Sequence, residues 1–300
     1  MRLKFSGFLK GENMILKGCF TALVTPFTYD NKVDYEMLKK LIHFQLESGI
    51  DGIVVLGTTA EAPTLSETEK ENIIRLAIKE INGKIPVVAG VYSNDTQKCI
   101  DISRKWENMG ADALLVSSPY YNKANELGME MHFAAIADSV SIPVILYNVP
   151  SRTGCSIPIS VVEKLSRHSN ITGIKEASGD MSYNMECARY ISDSFSLISG
   201  NDNLIIPCLS VGGAGVISVF SNICPGECRD IVHLYLDGKS EEALSIQMKY
   251  LDFINSLFIE PNPVPIKTAM NIPRFRLPLC QMMPNNEKIL RQKMKEVGLC

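Results

Sequence analysis

Lys175 is the residue with the clearest chemical potential in this sequence. It follows the apolar run Ile171-Thr-Gly-Ile174, which has the composition of a buried strand, so its amine would project from the strand end. A desolvated site disfavours the charged ammonium, and a neutral lysine amine can form a Schiff base with a carbonyl substrate. The alternative is a lysine whose stem packs on the strand end while its amine stays in water or pairs with Glu176.

Three further groups follow neighbouring runs of the same kind. Tyr147 could carry protons to and from the amine, or be a core tyrosine with a satisfied hydroxyl. Thr58 and Thr59 could hold a carboxylate with hydroxyl and backbone N–H groups, or form a turn with local hydrogen bonds. Arg152 could clamp a second carboxylate, or form a surface ion pair. Together these residues favour amine catalysis on an anionic carbonyl compound.

Metal and nucleotide patterns are missing from the sequence. The four histidines show no HxH or HExxH spacing, and the nine cysteines contain no CxxC. Cys224 and Cys228 with His233 fit no common zinc pattern, so we expect the cysteines to be buried apolar filler in a reducing cytosol. The cluster Gly212-Gly-Ala-Gly215 precedes an apolar run, whereas a nucleotide-binding loop would follow one. We therefore expect neither a metal nor a cofactor.

A repeated local pattern predicts the elements that position these residues. Amphipathic stretches end near Gly49, Gly83 and Gly110, and each is followed by a run that is apolar on both faces, as in parallel strands. We predict strands near 19–25, 52–57, 86–90, 113–118, 143–148, 172–176, 195–200 and 214–219. We predict helices near 34–48, 66–81, 96–109, 127–139, 158–168, 181–192, 202–210 and 224–237.

Eight strands alternating with eight helices indicate an α/β fold, a (β/α)8 TIM barrel. A doubly wound sheet is less suited, because the first strand runs into Thr25-Pro26-Phe27 instead of a Gly-rich phosphate turn. Helical patterns continue near 240–257, 264–270 and 285–297. We predict an N-terminal extension over 1–13, with Met14 as an alternative start, a barrel over 14–238 and a small C-terminal helical appendage over 239–300.

Charge and hydropathy exclude several classes of partner. The chain of 300 residues is 46% hydrophobic and 21% charged with a net charge of −3, and its Lys and Arg residues are dispersed, so we expect no nucleic-acid partner. The uncharged stretch 203–226 is interrupted by Pro207 and several glycines and predicts a buried helix followed by a buried strand. We expect no membrane span and a cytoplasmic protein.

The barrel prediction brings the candidate residues to one place, because barrel enzymes carry the active site at the carboxyl ends of the strands. Those ends carry Gly57-Thr58-Thr59, Pro119-Tyr120-Tyr121-Asn122, Tyr147 to Arg152, Lys175-Glu176 and Gly200-Asn201, and Ile217 lies in the eighth strand.

At these positions the sequence resembles the dihydrodipicolinate synthase and N-acetylneuraminate lyase family, from about Gly18 to the carboxyl tail. The family's GTTGE motif is similar to Gly57-Thr-Thr-Ala-Glu61, its paired-tyrosine motif to Pro119-Tyr-Tyr-Asn122, and its lysine motif to Ile174-Lys-Glu-Ala-Ser-Gly179. The stretch from Tyr147 to Gly154 is similar to the synthase subgroup, because the neuraminate lyases usually lack an arginine at the position of Arg152.

The resemblance implies a Schiff base between Lys175 and pyruvate, with Thr58 and Thr59 holding the pyruvate carboxylate and the Ile217 carbonyl lining the site. It implies a proton relay of Tyr147, Thr59 and Tyr121, with Tyr121 entering from a neighbouring subunit of a homotetramer.

The resemblance also implies that Arg152 binds the carboxylate of aspartate semialdehyde, with Gly200 and Asn201 nearby. The expected product is hydroxytetrahydrodipicolinate, on the path to lysine. Two other functions stay open: a pyruvate-dependent aldolase acting on a sugar acid, and a catalytically silent member that binds a keto acid.

Several positions depart from the family pattern. Ala60 replaces the usual glycine of the GTTGE loop, and a positive φ at that position would shift the loop. Val91-Tyr92 replace the usual Thr-Gly, and Tyr92 adds bulk near the expected dimer groove. Lys70 and Lys98 stand where lysine-inhibited members carry a histidine or glutamate and a second glutamate. Two cations would repel a lysine ammonium, so we predict insensitivity to lysine.

Overall fold

Eight parallel strands close into a barrel in the computed structural model, which describes residues 15–299. The strands follow one another around the barrel in chain order, and the eighth pairs with the first. They are Gly18–Ala22 (β1), Gly52–Val55 (β2), Val87–Val91 (β3), Ala113–Ser117 (β4), Val144–Asn148 (β5), Ile171–Glu176 (β6), Ser196–Ser199 (β7) and Gly215–Ser218 (β8). The predicted (β/α)8 barrel is confirmed, whereas the predicted extension over 1–13 and the alternative start at Met14 lie outside the described residues.

Helices alternate with the strands around the outside of the barrel. They are Tyr35–Glu47 (α1), Glu67–Ile81 (α2), Thr96–Met109 (α3), Glu126–Asp138 (α4), Pro150–Thr153 (α5), Ile159–Leu165 (α6), Met181–Ala188 (α7), Ile205–Ser210 (α8), Pro225–Leu236 (α9), Ser240–Ser256 (α10), Val264–Ala269 (α11) and Pro284–Glu296 (α12). The short α5 is additional to the predicted helices: Pro150 occupies its first turn and Gly154 ends it with a φ of 74°.

The first strand is shorter than predicted, because it ends at Ala22 instead of residue 25. The backbone N–H of Val24 donates to the Asn222 side chain, 3.1 Å away, and Pro26 has no N–H to donate. The chain therefore leaves the sheet before Pro26. A capping box of Ser66 and Glu69 begins α2.

The apolar core has two layers. One lies between the strands and the surrounding helices, and the other fills the barrel, where Leu115, Ile145, Ile198 and Ile217 are almost fully buried. Six of the eight described cysteines are buried, as expected of apolar filler, whereas Cys155 is half-buried and Cys280 is exposed. The barrel interior is therefore filled with side chains, and the pocket that contains Lys175 lies at the carboxyl ends of the strands.

The three last helices follow the barrel, and α10 packs on α9. Between α10 and α11 the chain turns back over the barrel mouth through a cis Asn262–Pro263 bond. The division into a barrel over 14–238 and a helical appendage over 239–300 stays a prediction. Within residues 15–299, no helix combines the length and the apolar character needed to cross a membrane.

Candidate active site

Lys175 and Tyr147 stand opposite each other on neighbouring strands, β6 and β5. The Lys175 amine lies 4.5 Å from the centroid of the Tyr147 ring, within the range of a cation–π contact. The two residues are only 7% and 5% exposed. The strand register thus places an amine against a phenol inside the mouth of the barrel.

Glu176 does not neutralise Lys175. Its carboxylate accepts a hydrogen bond from the Asn148 side chain and from the backbone N–H and hydroxyl of Ser178. Burial raises the pKa of Glu176, whereas these hydrogen bonds lower it. The ion pair between Lys175 and Glu176, which the sequence left open, is not formed among residues 15–299.

A second buried carboxyl group, that of Asp202, lies within electrostatic range of Lys175. One of its oxygens accepts from the backbone N–H groups of Val219 and Phe220, both at 3.0 Å. Burial raises the pKa of Asp202, whereas the hydrogen bonds from Ser218, Phe220 and Val219 and the charge of Lys175 lower it. The segment after β8 therefore positions a carboxyl group that interacts electrostatically with the Lys175 amine.

Gly200 leaves the space that the Lys175 side chain occupies. A Cβ atom at Gly200 would lie 2.5 Å from the Ala177 Cβ and 3.0 Å from the Lys175 Cε. Both distances are too short for ordinary contacts, so only glycine fits beside the lysine without a shift.

Thr58 and Thr59 form a tight turn after β2. Thr59 is buried, and its hydroxyl accepts a hydrogen bond from the Asn262 side chain at 2.9 Å. Ala60 has no positive φ; the left-handed residues of this loop are Leu56 (φ 56°) and Glu61 (φ 55°). The alanine therefore fits the loop without the shift that a positive φ at this position would cause.

The loop is fixed to the C-terminal helices by a fully buried ion pair. The Lys267 amine lies 2.6 Å from the Glu61 carboxylate and packs over the rings of Phe27 and Phe275. The second Glu61 oxygen accepts the backbone N–H of Arg276 at 3.2 Å. Burial lowers the pKa of Lys267, and the Glu61 charge opposes that shift.

Arg152 lies on α5 at the rim of the pocket. One of its guanidinium nitrogens donates to the Asn262 carbonyl at 3.1 Å, which orients the side chain and leaves other N–H groups for a ligand. The Asn262 side-chain oxygen is buried and has no hydrogen-bond partner among the described residues.

Seven predicted site residues line one open pocket with an empty volume of about 630 Å³. They are Thr58, Thr59, Tyr147, Arg152, Lys175, Gly200 and Asn201. Ile217 is buried in the barrel interior and contributes no lining surface to this pocket.

Tyr121 is not part of this pocket. It is 90% exposed, and its backbone is held in the left-handed region with a φ of 68°. Its entry into the site of a neighbouring subunit stays a prediction.

The sequence did not single out Phe258 and Asn262, which also line the pocket, and it treated Tyr92 only as bulk near a groove. Asn262 stands between two prolines, Pro261 and Pro263, and a rigid loop of this kind is a usable signal.

Within residues 15–299, no group of three or more His, Cys, Asp or Glu side chains is arranged to hold a metal ion. The His233 ring lies 2.7 Å from the Asp51 carboxylate. The Cys228 sulfur lies 3.3 Å from the Cys19 sulfur and 3.3 Å from the Ser218 hydroxyl. Cys228 and His233 therefore have protein partners of their own, and the absence of a metal stays a prediction.

The model of the dihydrodipicolinate synthetase family matches residues 15–297. The chain belongs to the dihydrodipicolinate synthetase family. This confirms the resemblance inferred from the glycine-threonine, paired-tyrosine and lysine motifs.

Members of the dihydrodipicolinate synthetase family resemble the chain over nearly its whole length. The 4-hydroxy-tetrahydrodipicolinate synthase of Clostridium novyi (strain NT) is 48% identical over 286 residues, covering 94% of this chain and 96% of that protein. The crystal structure of dihydrodipicolinate synthase from Thermotoga maritima superposes with a TM-score of 0.93 at 34% identity, covering 96% of this chain and 100% of that chain. The crystal structure of dihydrodipicolinate synthase from Aquifex aeolicus superposes with a TM-score of 0.91 at 40% identity, covering 95% of this chain and 99% of that chain.

Proposed function

We propose that this chain is a lyase that condenses pyruvate with L-aspartate 4-semialdehyde to give 4-hydroxy-tetrahydrodipicolinate, a step of lysine biosynthesis through diaminopimelate. The observation that carries this proposal is the buried Lys175 amine 4.5 Å from the Tyr147 ring, in a pocket that also holds Arg152. The names of the relatives support it, because the Clostridium novyi protein is a 4-hydroxy-tetrahydrodipicolinate synthase.

The first half of the reaction forms a carbon nucleophile on Lys175. The neutral amine attacks the keto carbon of pyruvate, and loss of water gives an imine. Removal of a proton from the methyl group then gives an enamine. Tyr147 lies against the amine and is the group that holds and returns these protons.

The second half joins the two substrates. The enamine carbon attacks the aldehyde carbon of the semialdehyde, whose oxygen takes up a proton and becomes the product hydroxyl. The amino group of the semialdehyde then attacks the imine carbon, closes the ring and displaces the Lys175 amine. One water is released for each product, and the lysine returns to its starting form.

Two anion sites fit the two carboxylates. The backbone N–H and hydroxyl groups of Thr58 and Thr59 suit the pyruvate carboxylate, because they lie in the pocket that holds Lys175. Arg152, at the rim, suits the carboxylate of the semialdehyde. A sugar acid would not need this second anion clamp, so Arg152 favours the synthase over the aldolase.

We also propose that the enzyme needs no cofactor, that it is cytoplasmic and that it forms a homotetramer. The Schiff base supplies the electron sink within the chain itself. The exposed Tyr121 supports a homo-oligomer, because a phenol that is 90% exposed is suited to enter a neighbouring subunit.

Borohydride trapping tests the proposal. The protein is incubated with pyruvate and borohydride, the modified residue is located by mass spectrometry, and turnover of aspartate semialdehyde is then assayed. We expect an adduct on Lys175 and turnover of the semialdehyde. Absence of the adduct would contradict both enzyme functions, and an adduct without semialdehyde turnover would favour the aldolase.

A further inference from the structure

Tyr92 directly follows β3 and stands between two cavities. On one side it lines the pocket of Lys175, and on the other it lines a second cavity of about 440 Å³ together with Lys70 and Tyr120. It is the residue that both cavities share, so it borders each of them.

The surrounding residues hold the Tyr92 ring in one orientation. Its edge meets the Tyr147 ring, with centroids 6.5 Å apart and an interplanar angle of 75°. A Cβ atom at Gly90 would lie 2.4 Å from the Tyr92 ring, and one at Gly57 would lie 3.7 Å from its hydroxyl. Glycine at position 90 is therefore required for the ring to lie where it does.

The Tyr92 hydroxyl is buried, and its proton finds no acceptor within the described part of the chain. A buried donor without an acceptor destabilises the free protein. Burial raises the pKa of Tyr92 well above its ordinary value, and Tyr147 raises it further, whereas Arg152 and the backbone N–H of Thr58 lower it. The phenol therefore stays protonated and is a hydrogen-bond donor.

An acceptor on a bound ligand would satisfy this donor. The backbone N–H of Thr58 acts as a hydrogen-bond donor towards the Tyr92 hydroxyl oxygen, and no acceptor among the described residues takes the hydroxyl proton. A carboxylate held by Thr58 would bring an oxygen to that place and accept from both groups.

We propose that Tyr92 is a substrate-binding residue whose hydroxyl donates to the carboxylate of the keto acid that forms the Schiff base with Lys175. The inference rests on the proposed function and adds a third kind of donor to the two threonines. It also assigns a use to a residue at which the chain departs from the family pattern.

The test compares Tyr92→Phe with the unchanged protein and with Tyr190→Phe, which removes a phenolic hydroxyl outside the pocket. The rate of borohydride trapping is measured against the concentration of pyruvate and of methyl pyruvate, its uncharged ester. For Tyr92→Phe we expect the pyruvate concentration at half-maximal trapping to rise about ten- to hundredfold, because a hydrogen bond to a charged group is lost. The corresponding value for the ester should change less than about fivefold. Tyr190→Phe should alter neither value.

Thermal unfolding without ligand distinguishes binding from folding. Because the hydroxyl proton has no acceptor in the described part of the free chain, Tyr92→Phe should melt at the same temperature as the unchanged protein or higher. Equal losses for pyruvate and the ester, or no loss for either, would overturn the assignment. If the unchanged protein forms no pyruvate adduct, the proposed function fails as well. If the unchanged protein forms the adduct and Tyr92→Phe needs the same pyruvate concentration for half-maximal trapping, only the role of Tyr92 is overturned.

Discussion

Tyr147 and Lys175 are partners in the register of β5 and β6, and the lysine amine faces the tyrosine ring at 4.5 Å. Because the two residues lie on paired strands, the hydrogen bonding of the sheet fixes the distance between the amine and the ring. Side chains on a flexible loop would not hold that distance constant.

Substitutions at these two positions should have different effects. Lys175→Ala should abolish the trapped adduct, since the amine itself is lost. Tyr147→Phe should still form the adduct but slow turnover by about 10²–10⁴-fold, as expected when a proton-transfer group is removed. Mass spectrometry after borohydride treatment and a turnover assay measure both. A trapped adduct in Lys175→Ala would show that another lysine carries the chemistry.

Arg152→Ala should spare adduct formation and impair use of the semialdehyde. Loss of a charge-assisted clamp predicts a fall in kcat/KM for the second substrate of about tenfold or more. Arg152→Lys keeps the charge but not the forked geometry of the guanidinium. Its kcat/KM for the semialdehyde should lie between those of Arg152→Ala and the unchanged protein. If Arg152→Ala prevents the adduct itself, the arginine serves pyruvate instead.

Gly200→Ala should slow adduct formation, because its Cβ would lie 3.0 Å from the Lys175 Cε and 2.5 Å from the Ala177 Cβ. Gly226→Ala is the matched control: nothing lies within 4 Å of its added Cβ, it lies in α9, and its φ is not in the left-handed region. The control should trap pyruvate normally and melt at an unchanged or higher temperature. Equal trapping rates in the two variants would contradict the packing argument.

His132 should reduce stability in mild acid. It is 4% exposed, and burial lowers its pKa to about 4, although the charge of Asp95 opposes the shift. The unfolded chain binds a proton near pH 6.5 and the folded chain only near pH 4, so stability falls as the pH drops between these values and then levels off. The loss amounts to about 3 kcal/mol.

Denaturant unfolding at pH 7 and pH 4.5 measures this loss, and His132→Asn should remove most of it. Glu69 contributes in a different range. Arg276 lowers its pKa to about 2, so its contribution is present above about pH 4.5 and is lost as the pH falls towards 2. An unchanged pH dependence in His132→Asn would show that another group titrates.

Lysine should not inhibit the enzyme at low concentration. Lys70 lines the second cavity and pairs with Glu67 at 2.8 Å, which offsets part of its charge, and Lys98 is exposed on α3. The family resemblance places both residues at the groove where inhibited members bind lysine, and two cations there would disfavour a lysine ammonium. A steady-state assay with added lysine tests the expectation, and Lys98→Glu should move the response towards inhibition. Inhibition of the unchanged enzyme at low lysine concentration would contradict it.

The sequence was sufficient to predict what depends on local pattern. Alternating apolar runs and helix caps predict the barrel, and the strand ends then bring Lys175, Tyr147 and Arg152 together, because parallel strands must end on the same side. The short helix α5 was not predicted, and some boundaries differed, as at Ala22, where a distant side chain, Asn222, takes the place of a strand partner.

Contacts between distant segments could not be predicted in this way. Asn262 donates to Thr59 across 203 positions of the chain, and no periodicity relates the two. Tyr92 was visible as bulk, but its position between the two cavities depends on how β3 packs against Gly57 and Tyr147. Such contacts depend on the tertiary fold, so local sequence patterns do not predict them.

The buried ion pair of Glu61 and Lys267 couples the unfolding of the loop after β2 to the unfolding of the C-terminal helices. Removal of either partner would strand a charge in the interior at a cost of about 3–5 kcal/mol. Detachment of the C-terminal helices and unfolding of the loop after β2 would each break this pair, so each event makes the other more favourable. Barrel and helices are thus expected to melt in one cooperative transition, and an enzyme that loses its C-terminal helices loses its pyruvate site with them.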